Sequence, residues 1–194
     1  MKLLVATTNP GKLREIAGIL SGAPVELVTL EEYPAIPEPD ETGGTFAENA
    51  RLKALYYAEA TGLPSVADDS GLEIDALDNA PGIQSARWQG TDYPVKFRKI
   101  YELLNARGLD TSDARFVCHI AVADDRRVVY EAEGVVAGRI APEPAGTNGF
   151  GYDPIFYYPP FGCTLAQLDP HRKGKVSHRG QAFRALRAHL IRGA

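Results

Sequence analysis

The chain has 194 residues, of which 44% are hydrophobic and 24% charged, and no tract is polar enough to predict disorder. Its formal net charge of -4 argues against a general nucleic-acid binder, because such proteins need a basic surface. The length favours a single domain over residues 1–194. No apolar run is long enough for a signal-peptide core or a membrane span, so we expect no membrane partner.

The sequence opens with a predicted strand and helix. Residues 2–7 form an apolar run that predicts a buried strand. Asn9 is a suitable N-cap, and Pro10 suits the first position of a helix that extends to about Leu20. We therefore expect a tight turn between a strand and a helix at residues 7–12.

The second predicted helix begins at a capping box. Residues 45–48 read Thr-Phe-Ala-Glu, and Gly62 supplies the helix end. Residues 65–69 predict a short strand that ends at a Ser-Gly turn. The proline-rich residues 34–39 are explained equally well by a hinge and by an ordinary surface loop.

The rest of the chain predicts a helix, a hairpin, a further strand and a last helix. The helix covers residues 94–107, and the hairpin strands cover residues 115–123 and 127–137, joined across Asp124 and Asp125. A strand follows at residues 152–158, and the last helix begins after Ser177. This order predicts an α/β fold with a mixed, twisted sheet flanked by helices.

The two cysteines, Cys118 and Cys163, lie far apart and lack the paired spacing of a zinc site. Free thiols in a reducing compartment are the simplest interpretation. We therefore expect a cytoplasmic protein.

The first strand-to-helix turn has the features of an anion-binding site. It places a lysine beside helix amides that point outward. Because the helix macrodipole disfavours a cation in the first turn, Lys12 predicts a compensating anion such as a triphosphate. The turn does not match the phosphate-binding loop of P-loop enzymes, since Leu13 follows the lysine and the upstream glycine is missing. A well-capped helix with a solvated lysine explains the segment equally well.

Carboxylates lie on both sides of the second helix in sequence. Glu41 precedes it, and Asp68 and Asp69 end the predicted strand that follows it. Because successive strand residues point to opposite faces, we expect one aspartate to point into a site and the other away. Asn49 and Lys53 are four residues apart and share a helix face. Carboxylates suit magnesium, which completes its shell with water and substrate phosphates. A solvated acidic turn beside an exposed lysine is the alternative.

Two later segments complete the set of candidates. Residues 146–153 set aromatic side chains among glycines, so the backbone can approach a ligand while a ring stacks on a base. A glycine-rich turn with core aromatics is the alternative. Lys173, Lys175, His178 and Arg179 crowd a predicted loop and the start of the last helix, where cations are disfavoured without an anion. A basic surface patch explains these four residues as well.

Taken together, these segments resemble the inosine triphosphate pyrophosphatase family of house-cleaning hydrolases, which act on non-standard purine nucleotides. Six blocks in the same order carry the resemblance across almost the whole chain. They are Thr8-Asn9-Pro10-Gly11-Lys12 with Glu15; Glu41-Thr42-Gly43 with Thr45-Phe46 and Asn49-Ala50; Ala67-Asp68-Asp69-Ser70-Gly71-Leu72; Pro81-Gly82 with Ser85-Ala86-Arg87; Gly149-Phe150-Gly151-Tyr152-Asp153-Pro154; and Ser177-His178-Arg179-Gly180.

The resemblance implies a single nucleotide pyrophosphatase domain with two lobes around a central nucleotide-binding cleft. The implied reaction is hydrolysis of ITP, dITP and XTP to the monophosphate and pyrophosphate, with Mg²⁺ as cofactor and a homodimer as the assembly. Asp69 is implied as proton acceptor and metal ligand, and Glu41 as the second metal carboxylate. The implied triphosphate contacts lie in the first turn, at Thr7, Thr8, Asn9, Pro10, Gly11 and Lys12, and further substrate contacts are implied at Lys53, Ser70 and Lys173. The implied nucleoside contacts are Phe150, Gly151, Tyr152 and Asp153. The implied contacts with the base are His178 and Arg179.

The family has one phosphate-binding lysine where this sequence has two, and we favour Lys173 over Lys175 because of its distance from His178. In the implied mechanism a water near Asp69 attacks the α phosphorus while the metal and lysines stabilise the leaving pyrophosphate. Base-reading donors aimed at a six-position oxygen reject adenosine, at about 1–3 kcal/mol for each donor left unpaired. Two rival hypotheses are a pyrophosphatase for modified pyrimidine nucleotides and a non-catalytic sensor that returns the triphosphate intact.

Overall fold

A seven-stranded sheet and five α-helices form the fold of residues 1–193, which are the residues that the computed structural model describes. In chain order the elements are β1 (Lys2–Val5), α1 (Pro10–Leu20), β2 (Glu26–Thr29), α2 (Phe46–Thr61), β3 (Ser65–Ile74), α3 (Tyr93–Ala106), β4 (Asp113–Asp124), β5 (Arg127–Ile140), β6 (Phe156–Tyr158), β7 (Cys163–Thr164), α4 (Pro170–Val176) and α5 (His178–Arg192).

The sheet is mixed, as the sequence predicted. Its strand order is β2-β1-β3-β4-β5-β6-β7. Strand β1 pairs in parallel with both β2 and β3, whereas β6 pairs antiparallel with β5 and β7. The predicted α/β fold with a mixed sheet and helices is therefore confirmed. Within residues 1–193 no helix is long and apolar enough to cross a membrane.

The first two helices begin where local capping predicts. The Asn9 side chain accepts hydrogen bonds from the amides of Gly11 and Lys12, with Pro10 at the first helical position of α1. The Thr45 hydroxyl accepts from the Glu48 amide at the start of α2. Helix α2 ends at Gly62, whose φ of 68° is the left-handed conformation that glycine adopts readily.

Strand β3 is longer than the sequence predicted. The predicted end at a Ser-Gly turn is wrong, because the strand continues through residues 70 and 71 to Ile74. Leu72 and Ile74 are fully buried in a hydrophobic core, and that packing holds the additional residues in the strand. Asp68 and Asp69 therefore lie in the middle of a strand and not at its end.

Three later segments also differ from the prediction. Residues 153–155 form a short 3₁₀ helix with Pro154 at its start, so the strand predicted over residues 152–158 begins only at Phe156. The hairpin turn lies at Asp125 and Arg126, which adopt the positive φ angles of 44° and 64° typical of two-residue hairpin loops. The basic segment predicted as a loop is helix α4, capped by the Asp169 side chain.

The described residues group into two compact units. The first consists of residues 1–69, 118–134 and 178–193, and the second consists of residues 70–117 and 135–177. The second unit has a core in which Phe97, Ile100 and Leu104 of α3 lie among the buried residues. The single domain and the central cleft remain predictions.

The first unit contains two cores. One core includes Leu3 and Val66, with buried residues of α1 and α5. The other includes Leu4 and Ala67, with buried residues of α2. Neighbouring residues of β1 and of β3 thus belong to different cores, as the alternation of side chains along a strand requires.

Candidate active site

The alternation along β3 sends its two central aspartates into different surroundings. Val66 and Asp68 share one face, which α1 and α5 cover, and Ala67 and Asp69 share the other, which α2 covers. Both carboxylates are buried, with 3% and 6% of the residue exposed. Buried carboxylates need charged or hydrogen-bonding partners, and the contacts of Asp68 and of Asp69 are described in turn.

Asp69 contacts the two polar residues that the helical spacing placed on one face of α2. The Asn49 Nδ2 atom donates to Asp69 Oδ2 at 3.1 Å, and the Lys53 Nζ atom lies 3.4 Å from Asp69 Oδ1. Lys53 Nζ also donates to Glu41 Oε1 at 2.6 Å. Predicted residues from three segments therefore meet at one lysine.

The loop before α2 fixes the orientation of Asn49. Its Oδ1 atom accepts a hydrogen bond from the Gly43 amide at 2.8 Å, which leaves Nδ2 to donate to Asp69. A Cβ atom on Gly43 would lie 2.7 Å from that same Oδ1, too close for any other residue without a shift. The glycine is therefore required for the close approach of loop and helix.

The charges around Asp69 act in opposite directions on its pKa. Burial raises the pKa of the Asp69 carboxyl and the neighbouring Glu41 raises it further, whereas Lys53 lowers it; the net shift is upward. Burial lowers the pKa of the Lys53 ammonium, but Asp69 and the other carboxylates outweigh burial, and the net shift of that pKa is upward. Lys53 is therefore held in its charged form beside a carboxylate that takes up a proton more readily than an ordinary aspartate.

Asp68 is paired with cations of α1 and α5. The Lys12 Nζ atom lies 2.9 Å from Asp68 Oδ2, and Arg179 Nε and Nη2 lie 3.3 and 3.2 Å from the same oxygen. Arg179 Nη1 donates to Glu15 at 3.0 Å. Burial raises the pKa of the Asp68 carboxyl, but Lys12, Arg179 and Lys53 outweigh burial and hold that pKa well below its usual range.

The pairing of Lys12 answers one sequence prediction. A cation in the first turn of α1 was expected to need a compensating anion, and the Asp68 carboxylate supplies one. In the preceding turn, the Thr7 hydroxyl accepts from the Asn9 amide at 3.2 Å, and the Thr8 hydroxyl donates to Glu38. Phosphate binding by the turn of Thr7, Thr8, Asn9, Pro10, Gly11 and Lys12 stays a prediction.

The second unit contains the glycine-rich segment and Lys173. The Asp153 Oδ2 atom accepts hydrogen bonds from the Phe150 amide at 2.8 Å and from Lys173 Nζ, which lies 4.4 Å from the centre of the Phe150 ring. Lys173 is buried, whereas Lys175 is exposed. Lys173 therefore contacts two of the predicted site residues, Phe150 and Asp153.

Two glycines of that segment serve contacts within the protein. A Cβ atom on Gly146 would lie 2.3 Å from the backbone of Ala166, and one on Gly149 would lie 2.2 Å from Asp153 Oδ2. Both glycines have positive φ angles. Close packing within the unit is therefore a sufficient reason for glycine at these two positions, without any ligand.

The remaining predicted residues occupy defined places in the two units. Ser70 follows Asp69 on β3 and is half-buried, and Tyr152 is buried in the second unit. His178 is the first residue of α5 and is buried in the first unit, next to Arg179. The first unit thus brings together Lys12, Lys53, Glu41, Asp69 and Arg179, whereas Phe150, Gly151, Tyr152, Asp153 and Lys173 belong to the second.

Sequence reasoning gave no role to Asp68 or to Lys96. The alternation along a strand predicts that one of the two aspartates turns away from the site, and Asp68, to which the resemblance assigns no role, is the shared partner of two cations. Lys96 is a fully buried lysine on α3, four residues before the buried Ile100. A charged residue in the apolar stripe of a predicted helix was the available signal for it.

The donor set near Lys53 fits a magnesium ion. Asp69 and Glu41 offer carboxylate oxygens, and both contact the same ammonium. Magnesium takes one or two protein carboxylates and fills its other positions with water and phosphate oxygens. Within residues 1–193 no group of three or more histidine, cysteine, aspartate or glutamate side chains is arranged to hold a metal ion.

Known proteins match nearly the whole chain. The model of the Ham1 family matches residues 3–189. A dITP/XTP pyrophosphatase of Exiguobacterium sp. strain AT1b is 46% identical over 191 residues, which cover 98% of this chain and 97% of the relative. One from Geobacter sulfurreducens is 46% identical over 191 residues, covering 97% and 96% of the two chains. The solved structure of a HAM1 protein from Coxiella burnetii matches with a TM-score of 0.92 at 41% identity, covering 99% of both chains.

Proposed function

Because the chain belongs to the Ham1 family, we propose that it is a dITP/XTP pyrophosphatase, which hydrolyses non-standard purine nucleoside triphosphates, ITP among them, to the monophosphate and pyrophosphate. The observation that supports this most directly is the cluster in which the buried Asp69 and Asn49 meet the part-buried Lys53 and Glu41. A carboxylate beside a cation is the combination that hydrolysis of a phosphoanhydride needs.

Asp69 is the proposed proton acceptor for the attacking water. Burial raises the pKa of the Asp69 carboxyl in the metal-free protein, and Glu41 raises it further, which makes Asp69 a stronger base than an ordinary aspartate. The hydrogen bond from Asn49 holds the carboxylate in place. The charges of Lys53 and Lys12 stabilise the negative charge that develops on the leaving pyrophosphate.

Magnesium is the proposed cofactor, with Asp69 and Glu41 as its protein ligands. When bound, the ion supplies neutralisation of phosphate charge. The two carboxylates that would hold the ion both contact Lys53, which places the lysine beside the proposed metal site. The proposal is tested by removing divalent ions with a chelator, which is expected to abolish turnover until magnesium is restored.

The remaining substrate contacts are proposed from the resemblance. The turn at residues 7–12, Ser70 and Lys173 bind phosphates, and residues 150–153 hold the nucleoside. His178 and Arg179 read the six-position oxygen of the base. The ion pairs of Arg179 with Asp68 and Glu15 support this role by holding the guanidinium in one orientation.

The decisive experiment is hydrolysis of ITP in ¹⁸O-labelled water with magnesium, followed by identification of the products. Attack at the α phosphorus gives labelled inosine monophosphate and unlabelled pyrophosphate. Orthophosphate with inosine diphosphate would contradict the proposal. A sensor would return ITP intact, and a modified-pyrimidine pyrophosphatase would prefer thymidine analogues in a parallel assay with XTP.

The assembly and the compartment are proposed on separate grounds. The resemblance supports a homodimer, which sedimentation of the purified protein at twice the mass of the chain would establish. The free thiols of Cys118 and Cys163 support a reducing compartment and hence the cytoplasm. Neither a nucleic acid nor a membrane is among the proposed partners.

A further inference from the structure

A buried lysine in the second unit has no part in the proposed mechanism. Lys96 lies on α3 with 0% of its surface exposed. Its Nζ atom donates to the backbone carbonyl oxygens of Ser85 at 2.9 Å and Ala86 at 2.7 Å. Among the described residues its ammonium has no carboxylate partner. Burying an ammonium group without an anion costs free energy, so we expect Lys96 to have a specific role.

Two aromatic rings flank the ammonium. Lys96 Nζ lies 4.5 Å from the centre of the Tyr93 ring and 5.6 Å from the centre of the Tyr152 ring. The two rings meet edge to face with their centres 5.2 Å apart. Cation–π attraction offsets part of the desolvation, although burial still lowers the pKa of the ammonium. The lysine is thus in contact with a tyrosine from the segment proposed to hold the nucleoside.

The Ser85 carbonyl connects Lys96 to Tyr152. The Tyr152 hydroxyl donates to this oxygen at 2.8 Å, and the same oxygen accepts from Lys96. A carbonyl oxygen has two lone pairs, so both donors are satisfied together. The Ser85 side chain is fixed as well, because its Oγ atom accepts from the Leu72 amide at 2.9 Å and donates to the Gly82 carbonyl at 2.6 Å.

Tyr152 in turn belongs to the structured end of the glycine-rich segment. It is buried, and its chain neighbours Phe150 and Asp153 are joined by the hydrogen bond from the Phe150 amide to the Asp153 carboxylate. A change in the position of Tyr152 is therefore transmitted to Phe150 through a short, hydrogen-bonded stretch of backbone.

We propose that Lys96 is a positioning residue for the nucleoside: through the Ser85 carbonyl it fixes Tyr152, and thereby the segment of residues 150–153 that binds the base and sugar. This inference rests on the proposed function and assigns no contact between Lys96 and the substrate. Loss of Lys96 is expected to weaken binding of the nucleoside part and to leave binding of the pyrophosphate part unchanged.

The test compares the two products as inhibitors of ITP hydrolysis. Lys96→Met keeps an unbranched side chain of similar length but removes the charge and the N–H donors. The inhibition constant of inosine monophosphate is expected to rise about tenfold or more, the loss of a buried charge-assisted hydrogen bond, and that of pyrophosphate to stay within about twofold. The matched control is Lys99→Met on the same helix, whose ammonium is part-exposed beside Glu102, and it is expected to change neither constant.

A second variant keeps the inference testable if Lys96→Met does not fold. Tyr152→Phe retains the ring and removes only the donor to the Ser85 carbonyl, so the same selective loss of inosine monophosphate affinity is expected. In the double variant the two losses are expected to be less than additive, since they act through one oxygen. The inference is overturned if Lys96→Met binds inosine monophosphate as tightly as the wild type, or if it loses equal affinity for both products. If only Tyr152→Phe can be measured, either of these outcomes in that variant overturns the inference. Absence of ITP hydrolysis by the wild-type protein would instead overturn the proposed function.

Discussion

Asp68 and Asp69 are identical residues joined by one peptide bond, yet their carboxyl groups have pKa values shifted in opposite directions. Asp68 faces Lys12 and Arg179, and their charges outweigh the effect of burial. Asp69 faces a cation as well, Lys53, but burial and the nearby Glu41 raise the pKa of its carboxyl by more than Lys53 lowers it. At the scale of single residues, the difference predicts a stabilising role for Asp68 and a chemical role for Asp69.

The chemical role predicts the effect of Asp69→Asn. The amide has almost the same shape as the carboxylate, so the fold is expected to persist, but it cannot accept the proton of the attacking water. The kcat for ITP is expected to fall by about 10²–10⁴-fold. Asp113→Asn, at an exposed aspartate that begins β4, is the control and is expected to retain full kcat. A kcat within a few-fold of wild type in Asp69→Asn would show that another group is the base.

The pH dependence of turnover gives a second prediction at this scale. Asp69 must be ionised to accept a proton, so kcat/KM is expected to fall as the pH decreases through its raised pKa. Lys53 lowers that pKa, so Lys53→Met is expected to move this acid limb to higher pH. The position of the limb is measured from pH profiles of kcat/KM, independently of the lower overall rate. A limb that stays in place would mean that Asp69 does not control it.

Asp68 gives a prediction about stability. Its folded-state pKa is depressed, so its contribution to the free energy of unfolding is fully present above the unfolded-state pKa of about 3.9 and is lost as the pH falls below that value. Asp68→Asn removes the carboxylate that pairs with the part-buried Lys12 and with the buried Arg179, which keeps Glu15, and is expected to cost about 3–5 kcal/mol at pH 7. In urea unfolding, the difference from wild type is expected to shrink as the pH falls below about 4. A difference that is constant with pH would contradict the assignment.

At the scale of elements, the predictions succeeded where the signal is local. Helices α1 and α2 begin where their caps predict, because a cap is made by residues within one turn of each other. The same type of signal, an aspartate before a proline, precedes α4, where the sequence analysis predicts a loop. The prediction of where β3 ends was wrong for a different reason. Ser70 and Gly71 have the local chemistry of a turn, and packing of the following strand residues against distant residues keeps them in a strand.

The contact between β5 and α5 leads to a prediction about one glycine. A Cβ atom on Gly134 would lie 2.0 Å from the carbonyl oxygen of His178 and 3.0 Å from the Ala182 amide, so the start of α5 would have to move. Gly134→Ala is expected to lower the free energy of unfolding by about 1–3 kcal/mol and to reduce ITP turnover, because α5 carries Arg179.

Replacing a different glycine, Gly18, by alanine is expected to raise the free energy of unfolding instead of lowering it. Gly18 is exposed in the interior of α1, and a Cβ atom there would meet nothing within 4 Å. Gly18→Ala is therefore expected to stabilise the protein by about 0.5–1 kcal/mol without altering turnover. Urea unfolding of both variants measures the two values. Equal changes in both would indicate that α5 does not rest on Gly134 as described.

At the scale of the whole molecule, the sequence predicted the kind of sheet but not its strand order. Strand β1 lies between β2 and β3, and such pairings depend on residues far apart in the chain. The site shows the same limit. The helical spacing of Asn49 and Lys53 predicted their shared face, whereas the pairing of Asp68 with Arg179 joins residues 111 positions apart and leaves no local pattern.

The two cysteines allow the stability of the units to be followed separately. Cys118 is fully buried in the first unit, where burial raises the pKa of its thiol, and Cys163 is part-exposed in the second. With a thiol reagent at pH 8, Cys163 is expected to react rapidly and Cys118 only upon unfolding of its surroundings. The reacted cysteine is identified by peptide mass, with Cys163→Ser as the control that leaves only the slow phase. Rapid reaction of Cys118 in the native protein would contradict its placement.

The neighbouring aspartates of β3 have a genetic consequence. Deleting the codon for Asp68 and deleting the codon for Asp69 yield the same protein, because either deletion leaves one aspartate between Ala67 and Ser70. In that product every residue on one side of the gap is shifted by one, and a shift of one exchanges the faces of a strand. One carboxylate then remains, and it can pair with Lys53 or with Lys12 but not with both. Loss of a single codon is therefore expected to remove either the stabilising ion pair or the catalytic acceptor.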